Sequence, residues 1–399
     1  MILFFTNRSL ILKTISFSIK FVLISIFFIS CSNTHYTGKL VNNGKIKHLK
    51  NNYVKTKLTE NKILSEPCIN GSNIYILDHK GFLIAFSLSD QKILWKSKIL
   101  ADDIGQFNMM IGNIIYDSGK LYVSNGSQFL FVFDAMQGYE IIRKKFPSPI
   151  MHQILVKQDD KIIVQTSDGH VISYDFKNMQ NDWIYCKEVK SISQVFTDSV
   201  SILGQDFILL TLNGTELLCL EKSSGNEIWK LDLESNIGPL KVSLFLHDMQ
   251  KIIIEDFLFI LLSSGDIIKI DLHSGQKISS QNFYPVKSLK NFGGKIFLLQ
   301  DNLFLMLNPK DLQVLAKFDL LNLLKKKEVL NSMLGRFDEI NNKLYFYVLS
   351  NKGNLFEFNV KNSIFLLSQQ KISKNIRNIF LHRGKIHFLS NNSIFYNIN

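Results

Sequence analysis

A layout of three short apolar runs separated by two turns recurs along this chain with a period of about 44 residues, and no other property restricts its fold so tightly. The first clear copy starts at Asn73 and reads NIYILDHKGFLIAFSLSDQKILWKSKI, with turns at 79–81 and 89–91 and with Trp95 in the third run. Further copies start at Lys120, Lys161, Phe207 and Phe257, worn ones at Lys295 and Lys343, and an incomplete one from Lys385 ends the chain. The first-turn glycines Gly81, Gly169, Gly214, Gly265 and Gly353 stand one or two periods apart. A unit of this length cannot bury its apolar faces alone, so it implies a solenoid or a propeller, and several short strands per unit select the propeller.

The fourth strand of each unit is expected from the variable segments between copies, such as ILSEPCI at Ile63 to Ile69. Alternation in Ile74, Ile76 and in Leu83, Ala85 predicts one face of each blade packed on its neighbour. The last copy lacks an outer strand after Ile398, and an open sheet edge invites aggregation, so residues 40–58 are expected to supply that strand and lock the ends. Seven full copies and this composite one predict an all-β, eight-bladed β-propeller of four-stranded antiparallel blades, closed by N- and C-terminal strands. The chain then divides into a leader at 1–30, a linker with the closing strand at 31–60, and the propeller at 61–399.

Trp95 stands four residues beyond Gln91 and Trp229 four beyond Gly225, while Ile142 and Ser279 hold the same offset from Gly138 and Gly275. Trp183 follows the corresponding turn of the third copy. An aromatic recurring at one place in the unit is expected as a wedge between adjacent blades, burying roughly 200 Å². The glycines are expected to supply positive φ in hairpin turns rather than to cradle phosphate. Neither GxGxxG at a strand-to-helix junction nor GxxxxGK[ST] occurs.

Residues 21–30, FVLISIFFIS, are uncharged, follow Arg8, Lys13 and Lys20, and precede Cys31. Ten residues rise only about 15 Å as a helix, against a hydrocarbon core of about 30 Å, so the segment reads as a secretory signal. Ile29-Ser30-Cys31 resembles the end of a bacterial lipobox, with Phe28 where leucine is usual. That resemblance implies diacylation of Cys31 and a lipid anchor in a membrane, and Ser32 after it favours the outer membrane. The formal charge is +12, with Lys39, Lys45, Lys47, Lys50, Lys55 and Lys57 preceding any acid before Glu60. The other lysines are scattered rather than striped with aromatics, which argues against a nucleic-acid partner.

Little else in the sequence carries chemistry. Cys68, Cys186 and Cys219 are far apart, form no CxxC, and read as buried free thiols. The nine histidines occur singly, with no HExxH or HxH, and there is no GxSxG elbow. The adjacent carboxylates Asp102-Asp103, Asp159-Asp160, Glu255-Asp256 and Asp338-Glu339 lie outside the expected strands, where solvated turns are the simpler account than a calcium site. No metal or cofactor is expected. Residues 318–334, FDLLNLLKKKEVLNSML, place apolar residues at near-helical spacing, which predicts a short helix packed between blades with Asp319 at its start, or a partner-docking element.

The segments Lys222 to Trp229 (KSSGNEIW), Ser87 to Trp95 (SLSDQKILW) and Asp271 to Ile278 (DLHSGQKI) resemble the PQQ-type propeller repeat. With a lipoprotein-like start and eight blades, the whole chain resembles the BamB family of accessory lipoproteins in outer-membrane barrel assembly. The resemblance implies a non-enzymatic scaffold, lipid-anchored at the periplasmic face of the outer membrane, working as a monomeric propeller within a complex. It implies docking on the POTRA domains of a BamA-like barrel assembly protein, through variable loops that assign no numbered contact residue. Two other classes share the blade pattern: a PQQ-dependent quinoprotein dehydrogenase, typically longer and often with an adjacent cysteine pair absent here, and a periplasmic propeller binding another protein.

Overall fold

The middle strands of each repeat are apolar along their whole length because both of their faces are covered. In the computed structural model of the chain, residues 47–48, 53–63, 65–99, 113–157, 161–186, 197–202, 205–212, 216–233, 250–262, 264–373 and 375–398 are described. The leader, Cys31, Gly214, Asp102-Asp103 and Asp159-Asp160 lie outside these residues. Asn73–Leu77 and Phe82–Ser87 are buried except at their first residues. Ile74, Ile76, Ile84 and Phe86 pack against Phe380, Leu389 and Phe395, while Tyr75, Leu77, Leu83 and Ala85 pack against Leu121, Val123, Phe131 and Phe133. The expectation of one packed face is therefore too narrow: each blade is sandwiched, so alternate residues serve alternate neighbours.

Each sheet contains four antiparallel strands in sequence order from the innermost to the outermost. Blades one to seven run over 68–98, 113–145, 150–185, 197–232, 250–282, 288–319 and 330–371. Blade eight takes three strands from 376–398 and its outermost from Tyr53–Lys57, which pairs with Ile394–Ile398 in unbroken antiparallel register. Eight apolar clusters each join two consecutive blades, and the last joins blade eight to blade one, so the ring is closed. Arg377 reinforces that seam, donating to the Ile63 carbonyl at 2.8 Å and pairing with Glu66 at 3.1 Å. Lys47–His48 adds a short parallel strand outside Ile364–Lys371 of blade seven.

Two expectations change in detail. The innermost strand of blade one is Cys68–Asn70 alone, with Ile63 making an isolated bridge to Asp78. The helix expected over 318–334 does not form, and no helix occurs among the described residues. Phe318 ends the strand Val314–Asp319, Leu330 and Met333 open the strand Leu330–Asp338, and all three enter the core shared by blades six and seven. Two separate turns lie between them, at Leu320 to Leu324, where the Asp319 carboxylate accepts the Leu321 N–H at 2.8 Å, and at Lys325 to Glu328. Sheet pairing to distant strands satisfies the backbone that a helix would have satisfied locally.

Candidate interaction faces

Antiparallel blades put two kinds of connection on two faces of the ring. One face, the hairpin face, carries the turns between first and second strands and between third and fourth strands. Those turns are short, such as Ser118-Gly119 and Gly293-Gly294, which join paired strands directly. The other, the connection face, carries the turns between second and third strands and every link from one blade to the next. The strands that end there are separated in sequence by 99–112, 186–196, 233–249 and 320–329, as well as by shorter intervals. Long connections on a rigid ring are where binding residues concentrate.

The hairpin face is a framework. At its third turns an acid organises the backbone: Asp134 accepts the Met136 and Gln137 N–H groups at 2.9 and 2.6 Å, and Asp271 accepts those of His273 and Ser274 at 3.1 and 2.8 Å. Backbone donation from Ser274 is the main reason the Asp271 carboxyl sits below its ordinary range. In blades one to six the turn closes on a residue of positive φ, and in blades two, four and five the tryptophan of the preceding blade lies on it. A Cβ on Gly138 would stand 2.4 Å from the Trp95 ring, one on Gly225 2.4 Å from the Trp183 ring, and one on Gly275 2.5 Å from the Trp229 ring. Trp95 and Trp229 also donate their indole N–H to the Ala135 and Leu272 carbonyls, at 3.1 and 2.7 Å. Where the preceding blade offers Ile142 or Ser279 instead, the positive-φ residue is Met179 or Leu312. Glycine thus appears in these turns where an indole needs the room as well as the φ.

Of the other repeat glycines, Gly81, Gly169, Gly265 and Gly353 all take positive φ in turns of the connection face. Gly265 also faces the Tyr284 backbone, where a Cβ would lie 2.5 Å from its nitrogen.

On the connection face a groove of about 650 Å³ separates blades two and three, walled by Lys144, Lys145, Phe146, His170, Ile184 and Cys186. At its rim Asp168 accepts hydrogen bonds from Thr166 Oγ1 at 2.6 Å and Ser148 Oγ at 2.8 Å, and lies 3.0 Å from His170 Nδ1. Burial pushes this acid up, but those partners outweigh burial and hold it at about 2. Ser148 and His170 meet the carboxylate rather than each other, so the trio fixes a turn and does not activate a nucleophile. Cys186 is exposed, contrary to the expectation of buried thiols, whereas Cys219 is buried and its thiol is pushed up to about 12 by that burial. Among the described residues no three His, Cys, Asp or Glu side chains are grouped to hold a metal ion. Glu255-Asp256 lies in a turn, and Asp338-Glu339 at a strand end where Asp338 binds Asn341.

Two features escaped sequence reasoning. His387 is 2% exposed and stacks between Phe380 and Phe395, with centroids 5.7 and 5.4 Å away. Its place in the apolar run Lys385 to Leu389 was the available signal. The lysine-rich turn at 325–328 is the other.

Comparison with known proteins places these features. The sequence model of the family described as outer membrane protein assembly factor BamB matches residues 104–315, from the link before blade two into the outer strand of blade six. An uncharacterized protein of Rickettsia prowazekii is 28% identical over 90% of this chain and 86% of its own length. The crystal structure of BamB from Moraxella catarrhalis superposes with a TM-score of 0.62 at 15% identity, covering 88% of this chain and 99% of that one. A quinohemoprotein alcohol dehydrogenase of Comamonas testosteroni shares the fold at a TM-score of 0.54 and 11% identity, over 86% of this chain and 74% of its own.

Proposed function

Because the chain belongs to the BamB family, we propose that it is a non-enzymatic scaffold that assists insertion of β-barrel proteins into the outer membrane. The family match, which spans more than half of the chain, carries this reading. In it, Cys31 is the lipidated residue that holds the ring at the periplasmic face of the membrane, and the connection face meets the POTRA domains of a BamA-like partner. The ring fixes the relative positions of the strand ends from which the connections leave, which lowers the cost of presenting several of them to one partner. The groove between blades two and three, apolar below and basic at its walls, belongs to that docking face.

Affinity purification after mild detergent extraction tests the reading. Recovery of a barrel protein with POTRA domains is expected; recovery of the chain without one, or with a stoichiometric quinone chromophore, would contradict it. Fatty-acid labelling of the wild type and of Cys31→Ala tests the anchor separately, and equal labelling of both would remove Cys31 from the account.

A further inference from the structure

The link between blades six and seven is folded around a buried acid. Glu328 is 5% exposed, and its carboxylate accepts hydrogen bonds from the Ser350 hydroxyl, the Asn354 amide and, at 3.0 Å, the Lys325 N–H. Its own N–H returns to the Lys325 carbonyl at 2.8 Å, and Lys327 takes a positive φ of 60° to close the turn. The acid of this turn is thereby committed inside the protein, while Lys325, Lys326 and Lys327 are all exposed on its surface. Lys352 Nζ donates to the Lys326 carbonyl and Lys371 Nζ to the Lys352 carbonyl, which draws two more ammonium groups to the same corner. Leu321, 63% exposed, projects from the same link.

The path of the chain selects the anion. Lys47 and His48 pair with Ser368 and Gln369, just before Lys371, so the N-terminal segment reaches the ring at the outer edge of blade seven. Cys31 precedes Lys47 by a stretch containing Lys39 and Lys45, and fully extended chain of that length reaches roughly 55 Å. A tether at Cys31 keeps this edge within that reach of a bilayer. Lysines offer compact point charges on flexible stems, suited to mobile phosphate groups rather than to one fixed carboxylate. We infer that the Lys325–Lys327 turn, with Lys352 and Lys371, is a docking surface for anionic phospholipid headgroups that orients the ring on its own membrane. The choice of lipid over an acidic protein segment rests on the lipid anchor proposed above.

The test uses the full chain carrying Cys31→Ala, so that no acyl chain contributes, sedimented with vesicles of phosphatidylglycerol and phosphatidylcholine or of phosphatidylcholine alone. Binding is expected only with phosphatidylglycerol. Combined Lys325→Glu, Lys326→Glu and Lys327→Glu should weaken it more than about 100-fold, given the contribution of each lysine near an anionic surface. Combined Lys92→Glu, Lys310→Glu and Lys343→Glu, an equal charge change on the hairpin face, should weaken it less than about threefold. Equal losses in the two variants would overturn the site, as would unchanged binding in both. Capture of an acidic polyglutamate peptide but not of the vesicles would overturn the lipid assignment. Combined Lys325→Gln, Lys326→Gln and Lys327→Gln, expected to lose about 100-fold, covers the case where charge reversal disturbs the turn. No barrel protein is present, so failure here leaves the assembly reading standing, and the reverse also holds.

Discussion

The two faces of the ring are built from the same strands yet are put to different physical use. On the hairpin face, acids bind their own turns, glycines take positive φ, and three indoles seat on the glycines of the next blade. Among the described residues its turns are short, from Ser118-Gly119 to 308–313. On the connection face, links such as 186–196 and 233–249 differ in length from blade to blade, a groove opens between blades two and three, and lysines crowd one corner. The difference teaches that holding the ring and using it are separable, so substitutions on one face should be read in stability and on the other in binding.

The largest expected effect is on the framework. Trp229→Ala removes a buried ring and its 2.7 Å hydrogen bond to Leu272, and should cost about 3–5 kcal/mol in denaturant unfolding. Partner recovery from cells should follow protein level only. A loss below about 1 kcal/mol would break the assignment of the hairpin face. Gly275→Ala tests the same lock from the other side: overpacking against the indole and the φ of 70° together should cost roughly 3 kcal/mol. In the Trp229→Ala background the overpacking disappears, and about 1 kcal/mol from φ should remain.

The closing seam supplies a pH-dependent effect that belongs to neither face. Burial, with repulsion from His382, holds the His387 imidazole down at about 4, against an ordinary 6.5. The unfolded chain therefore takes up a proton that the folded chain refuses, so stability falls as pH drops from about 6.5 towards 4 and is unaffected by this group above that window. At pH 5 the wild type should have lost about 2 kcal/mol relative to pH 8 in excess of His387→Leu, measured by urea unfolding. Equal pH profiles would remove His387 from the account.

Smaller effects sharpen the comparison. Met179 takes a φ of 57° on the hairpin face where the preceding blade offers Ile142, not tryptophan. Met179→Gly should therefore be neutral or stabilising by up to about 1 kcal/mol, opposite in sign to a change at Gly275. Lys144→Ser on the connection face should stay within about 0.5 kcal/mol of wild type while lowering partner recovery.

The hairpin face was the more legible of the two. Repeating tryptophans, glycines and acids fix its turns locally, so Trp95 and Trp229 could be put in register from spacing alone. The partner glycines Gly138 and Gly275 were visible as turns but not as seats, because that role depends on a tryptophan some forty residues upstream (about one repeat). Blades six and seven were read more faintly, since Phe297, Phe304, Phe346 and Phe358 replace the directed lock with a ring cluster that has no fixed motif. Residues 318–334 misled for a related reason. Leu320, Leu323, Leu324, Leu330, Met333 and Leu334 stand at near-helical spacing, but the 325–328 turn among them is held through Glu328 by Ser350 and Asn354, which no local pattern announces. The connection face was least legible because its groove joins Lys144 to His170 and Cys186 across two blades.

The most direct test is photo-crosslinking in cells from single positions on the two faces. Probes at Pro147 and Cys186, on the connection face, should capture a barrel protein with POTRA domains, whereas probes at Lys310 and Lys343, on the hairpin face, should not. Capture of that partner from the hairpin face, or from neither face while the protein is folded and present, would contradict the account.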